Sequence, residues 1–220
     1  MKEHQNLFRD LQEDFRKMKK NLLVAQSGGP TAAINATLAG VIKQAIKEEQ
    51  IDQVYGACYG IQGVLEQKFV NLTEKVDTVE KLKRTPAAAL GSCRFKLNDI
   101  KEDDSQYQEI VDILHKMNIG YFVYIGGNDS MDTVAKLSAY CKEKGVEDIK
   151  VIGGPKTIDN DLCGIDHCPG FGSAAKYIST VFCELEQEIT VYEPKNVIIV
   201  EMMGRHAGWL TAAAALAEGK

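Results

Sequence analysis

Short apolar runs, most of them closed by a glycine-bearing turn, alternate along this chain with segments whose apolar residues recur every three or four positions. That alternation constrains the fold more than any other feature. Leu22-Leu23-Val24-Ala25 reads as a buried strand, followed by Ser27-Gly28-Gly29-Pro30 and a helical stretch to about Glu49. Gln53 to Tyr59 reads as a second strand, and Tyr107, Ile110, Val111, Leu114 and Met117 predict a helix. Tyr121 to Ile125 predicts a strand ending in Gly126-Gly127, with Met131, Val134 and Cys141 marking the next helix. Lys150 to Ile152 is a strand ending in Gly153-Gly154-Pro155. Ala174, Ile178, Val181, Phe182, Leu185 and Ile189 line one side of a long helix; Asn196 to Glu201 is a further strand, and an Ala-rich helix runs from Ala207. Strand-then-helix order of this kind predicts an α/β fold, a doubly wound, Rossmann-like parallel sheet with helices on both faces.

Composition narrows the function classes. The 220 residues carry 26 basic against 31 acidic side chains, a net charge of −5, so binding of nucleic acid by bulk charge is not expected and any anion site must be local. No apolar run approaches the ~18 residues of a membrane span. The first 20 residues contain ten Asp, Glu, Lys or Arg and are no secretory signal. Leu7, Phe8, Leu11, Phe15 and Met18 give them an apolar side, so residues 1–20 read as a helical extension and residues 21–220 as the main lobe. The six cysteines lack the dense spacing of a disulfide scaffold and read as free thiols of a cytoplasmic protein. Cys163, His167 and Cys168 raise the idea of zinc, but no second ligand pair stands at a usual spacing.

In a parallel sheet, ligands bind beyond the carboxyl ends of the strands. Four loops follow apolar strands: QSGGP, GGNDS, GGPKTIDND and EMMGRHAG. All four are therefore expected on one rim, with glycine pairs that let backbone approach a ligand and helix starts that attract phosphate. Asp159 and Asp161, two apart beside Lys156 and Thr157, can share a site that takes a proton from an alcohol and balances phosphate charge, the parts phosphoryl transfer needs. The same segment can equally be an Asx-rich turn bonded to its own amides. Arg205 and Arg94 can each hold a phosphate through two parallel bonds or form a surface ion pair, and His206 can be a base or a cap.

The motifs QSGGPTAAIN, GSCRF, YIGGNDSMD, GPKTIDND, DHCPGFGSAAKY and EMMGRHAGWL, in this order from residue 21 to the C-terminus, resemble the phosphofructokinase family. The resemblance implies that Asp159 accepts the proton of the sugar 1-hydroxyl. Thr157 and Asp159 match the loop that contacts fructose 6-phosphate, with Asp161 in support. Met203, Gly204 and Arg205 match the second sugar-phosphate loop, Gly28 the glycine whose backbone meets the donor phosphate, and Arg94 an arginine near the transferring group.

Asp129 and Lys156 replace the glycines of the GGDGS and PGTIDND loops that ATP-using members usually carry, as in diphosphate-dependent members. A carboxylate at Asp129 would sit where an α-phosphate must pass. Two like charges ~4 Å apart at an effective dielectric of ~20 repel by about 4 kcal/mol, close to a thousandfold in binding. Lys156 supplies a cation suited to diphosphate. Asn128 stands where the family usually has an aspartate as Mg2+ ligand; its amide oxygen can still coordinate, without charge. Family members run well beyond this length, so the chain is expected to be a donor-binding lobe with part of the acceptor site, a fragment or truncated product, and the full protein a homodimer or homotetramer. Diphosphate-dependent phosphorylation of fructose 6-phosphate is the expected reaction. The alternatives are an ATP-dependent enzyme that tolerates Asp129, or a lobe that binds phosphate or a partner subunit without turnover.

Overall fold

The first strand, β1 (Lys20–Gln26), is apolar without alternation because both of its faces are covered. Leu23 and Ala25 join Phe122 and Tyr124 in one core cluster, whereas Leu22 and Val24 join Val123 and Ile125 in another on the opposite face. The computed structural model describes residues 19–31 and 33–217, so the expected extension helix, with Leu7 to Met18, lies outside the described residues. Lys20, assigned to that extension on composition, is the first residue of β1.

The chain continues through α1 (Ile34–Ala45), β2 (Ile51–Ala57), α2 (Gly60–Leu65), β3 (Phe69–Asn71), α3 (Val76–Leu82), α4 (Ser105–Lys116), β4 (Ile119–Gly126), α5 (Asn128–Glu143) and β5 (Lys150–Pro155). Then follow α6 (Phe171–Thr190), α7 (Trp209–Ala213) and a 3-10 turn at Ala214–Ala217. The five-stranded sheet has the order β3-β2-β1-β4-β5. β1 pairs in parallel with both β2 and β4, and β4 with β5, so these strands end on the same edge. β3 is the antiparallel exception, paired with β2 through Tyr55, Gly56 and Ala57. Ile61 and Val64 of α2, Tyr107, Ile110, Val111 and Leu114 of α4, and Leu137 and Tyr140 of α5 pack on one face; Ile34, Leu38 and Ile42 of α1 pack on the other. The doubly wound arrangement is thus present.

Several expectations need correction. Gly153, Gly154 and Pro155 belong to β5 rather than to a turn. A Cβ on Gly153 would stand 2.6 Å from Met131 Sδ, and one on Gly154 would stand 3.2 Å from Ile125 Cγ1. These glycines let neighbours approach the strand; neither has a positive φ. Asn196 to Glu201 forms no strand. Val197 is 87% and Ile199 92% exposed, because an apolar run becomes a strand only when another strand takes up its hydrogen bonds. The Ala-rich helix begins at Trp209, not Ala207, and tightens into the 3-10 turn after one turn and a half. The short elements β3, α2 and α3 carry too few periodic residues to be read from sequence.

The described chain divides into two compact units at Pro155/Lys156. The first holds the sheet. In the second, α6 presents Ala174, Ile178, Val181, Phe182, Leu185 and Ile189 half-buried, as their spacing predicts, and among its described residues only Ala175 is fully buried.

Candidate active site

In the first unit, two turns at the carboxyl edge of the sheet carry the proposed donor residues. Gln26 ends β1, and its buried amide donates to the Ile34 carbonyl and Asn35 Oδ1, both at 3.1 Å, while its oxygen accepts from Leu90 N–H at 3.0 Å. Asn35 in turn accepts from Ala89 N–H at 2.8 Å and donates to the Thr85 carbonyl at 2.9 Å. The Gln and Asn of QSGGPTAAIN therefore brace the loop rather than serve a ligand.

Gly28 follows with φ 76°, a conformation that a side chain resists. Its N–H donates to the Cys93 carbonyl at 3.2 Å, and its own carbonyl accepts from the Ser92 hydroxyl. What this glycine offers a donor is close approach of its backbone, since its N–H is already engaged. Thr31 Oγ1, in the same loop, is buried with no partner among the described residues.

The second turn is the start of α5. Gly127 caps it in an extended conformation without a side-chain hydrogen bond, and Asn128 and Asp129 form the exposed first turn. Their amides have no carbonyl of their own helix behind them and favour an anion. Asp129 places a fixed negative charge there, and Lys96 Nζ lies 3.6 Å from its Oδ1. Lys96 was not singled out from the sequence: it lies in a segment without regular structure, two residues beyond the exposed Arg94. Being largely exposed, this ion pair adds little to stability. Its placement instead supplies a cation to the first turn of α5.

The second unit opens with Lys156, which is buried, and with the Thr157–Asp161 turn. Asp159 N–H donates to Thr157 Oγ1 at 3.0 Å, the local bond of an ST turn. Asn160, at φ 58°, donates to the Asp166 carbonyl at 3.0 Å and accepts from Cys168 N–H at 2.7 Å. The turn is thus held by Thr157 and Asn160, while Asp159 Oδ1 remains buried without a hydrogen-bond partner among the described residues. Burial, and then the Asp161 charge, push the Asp159 carboxyl above the usual carboxylate range; Arg205 and Lys156 pull it back in part. Asp161, Arg205 and Lys156 therefore all act electrostatically on Asp159. The alternative of a turn closed entirely on itself does not hold for Asp159.

Met203 is exposed, and Gly204 has φ 130° with an added Cβ only 2.2 Å from the Ala207 carbonyl oxygen, so glycine is required there. Arg205 is exposed and also has a positive φ, 27°. No strand precedes this turn, so the sheet geometry does not by itself account for its position.

Among the described residues no cluster of three or more His, Cys, Asp or Glu could hold a metal. Magnesium, which keeps several waters and binds through one or two protein oxygens plus substrate phosphates, still fits the Asn128 amide beside Asp129. All six cysteines are free, and no helix among the described residues is long and apolar enough to cross a membrane.

The architecture recurs in known proteins. The chain is 46% identical over 200 residues to a pyrophosphate–fructose 6-phosphate 1-phosphotransferase of Xanthomonas campestris pv. campestris, an alignment covering 90% of this chain and 47% of that protein. It is 42% identical over 201 residues to the protein of the same name from Halomonas elongata, covering 90% and 48%. Among solved structures, a pyrophosphate-dependent phosphofructokinase from Nitrosospira multiformis superposes with a TM-score of 0.81 at 40% identity, over 90% of this chain and 49% of that one. The chain spans about half the length of these relatives. Residues 21–220 match the phosphofructokinase family, and the chain belongs to that family.

Proposed function

We propose that this chain carries the donor side, and part of the acceptor side, of a diphosphate–fructose-6-phosphate 1-phosphotransferase. Within this reading, residues 21–220 form that lobe, and the complete protein is a cytoplasmic homodimer or homotetramer. The observation that carries it is Asp159: a buried carboxylate oxygen without a partner, its basicity raised by burial and by Asp161, suits a group waiting for a substrate hydroxyl.

The residues divide the work as follows. Thr157 and Asp161 hold the sugar at the Asp159 turn, and Met203, Gly204 and Arg205 receive its 6-phosphate. Asp159 takes the proton of the 1-hydroxyl as that oxygen attacks the near phosphorus of diphosphate. The bridging P–O bond breaks, and orthophosphate leaves with the bond's electron pair. Gly28 approaches the donor through its backbone, and Arg94 and Lys156 offset charge on the transferring group. Magnesium, when bound with diphosphate at Asn128, neutralises phosphate charge. Asp129 stands against the α-phosphate of a nucleotide, while Lys96 counters its charge so that diphosphate is not repelled as well. Similarity at 40% identity and above to relatives named for diphosphate supports the same donor.

Calorimetry of the 220-residue chain with Mg2+ and, in turn, diphosphate, ATP and fructose 6-phosphate tests the reading, together with turnover. Diphosphate binding with no ATP binding is expected; ATP use without diphosphate use refutes the donor assignment. Diphosphate binding without sugar binding would instead mark a lobe that holds the donor only.

A further inference from the structure

The turns after β1 and β4 are joined by two buried hydroxyls that the proposed reaction does not use. Ser27 and Ser130 are 3% and 5% exposed, and their Oγ atoms lie 2.5 Å apart across 103 positions of sequence. Each stands beside a residue of the donor site: Ser27 precedes Gly28, and Ser130 follows Asp129. Gly126 is pressed against both, since a Cβ there would stand 2.0 Å from Ser130 Oγ and 2.8 Å from Ser27 Oγ. The strand therefore accommodates the pair only because it has no side chain at that point. Ser27 is also a side-chain hydrogen-bond neighbour of Tyr124, whose hydroxyl accepts from Ile61 N–H at 3.2 Å. The row of hydroxyls thus runs from the start of α2, across the sheet end, to the first turn of α5.

A pair of buried hydroxyls is close to neutral for stability against apolar residues of the same shape. Its distinctive property is direction: one short bond fixes where two loop backbones stand relative to each other. We propose that the Ser27–Ser130 pair is a clasp that positions the Gly28 turn and the Asn128-Asp129 turn at the spacing one diphosphate spans. This rests on the diphosphate reading above. The serines are positioning residues and act through their neighbours.

The test uses Ser27→Ala, Ser130→Ala and the double variant in the 220-residue chain, measuring diphosphate binding with Mg2+ by calorimetry alongside melting temperature. Each single change is expected to weaken binding by about tenfold and the double change to weaken it no further, while the double variant melts close to wild type and Ser27→Ala, which leaves the buried Ser130 hydroxyl without its partner, melts lower. Unchanged affinity, or losses that multiply in the double variant, overturn the clasp. A folded wild type that does not bind diphosphate removes the functional reading instead. The clasp is then judged in the ligand-free protein by amide hydrogen exchange. Either substitution should speed exchange at both Gly28 and Met131, whose N–H groups donate to the Cys93 and Gly127 carbonyls, and an unaffected turn opposite the substituted serine overturns it. If Ser130→Ala does not fold, Ser27→Ala carries both readouts.

Discussion

Asp159 brings together two demands that oppose each other. One of its carboxylate oxygens is buried without a hydrogen-bond partner among the described residues, and burial raises its proton affinity, which suits a base, yet the same burial makes the ionised form unfavourable. Because the folded state binds this proton more tightly than the unfolded chain does, stability from this group is present at low pH. It is lost as pH rises from the ordinary aspartate value, about 4, through the raised one. Asp159→Asn should therefore raise the melting temperature at pH about 8 and lose that advantage toward pH about 3, as differential scanning calorimetry at the two pH values will show. The same change should reduce phosphoryl transfer by roughly 10²–10⁴-fold, the usual worth of a positioned base. In wild type, the acid limb of the kcat profile should lie above the ordinary carboxylate range. At Lys96 the expectation is different. Lys96→Met should leave the melting temperature unchanged within about 0.5 kcal/mol of stability, since the ion pair is exposed, but weaken diphosphate binding by roughly tenfold and flatten its salt dependence. Equal affinity and equal salt slope would show that Lys96 belongs to the surface alone.

At the scale of elements, the glycines of the strand ends sort by what their missing Cβ would meet. On Gly126 it would collide with the first turn of α5 and with Ser27, neither of which can retreat without disturbing β1 or the helix start. Gly126→Ala should cost about 3 kcal/mol or more in urea unfolding. On Gly153 it would meet Met131 Sδ, a flexible end that can swing aside, so Gly153→Ala should cost about 1 kcal/mol. If the two variants proved equally unstable, the distinction between a rigid and a yielding neighbour would fail. These contrasts were not legible in the sequence, where GG reads alike at all three strand ends. Only at Gly28, with φ 76°, does a glycine of the strand-end pairs at 28–29, 126–127 and 153–154 adopt a positive φ. The strands themselves were legible for the opposite reason: β1 and β4 are covered on both faces, and a doubly covered strand is an unbroken apolar run.

On the scale of the whole molecule, the described chain is a well-buried sheet unit followed by a second unit with large exposed apolar side chains. Val197, Ile199, Tyr177 and Trp209 are all exposed, and neighbouring exposed apolar residues promote association. Replacing Val197 and Ile199 by Lys should leave the melting temperature unchanged and reduce self-association in light scattering. A clear loss of stability would mean that these side chains are packed in solution.

The alternation of strands and helices around β1, β2, β4 and β5 and the α/β class were determined by the sequence alone, because apolar periodicity is a local property of a chain. The strand expected at Asn196–Glu201 and the Lys96–Asp129 and Ser27–Ser130 pairings were not local. They depend on which segments stand side by side, and residues 33 or 103 positions apart in sequence meet only once the sheet has set its register. The tertiary structure decided them, since hydrogen bonds and charges act over a few ångströms of space whatever their separation along the chain.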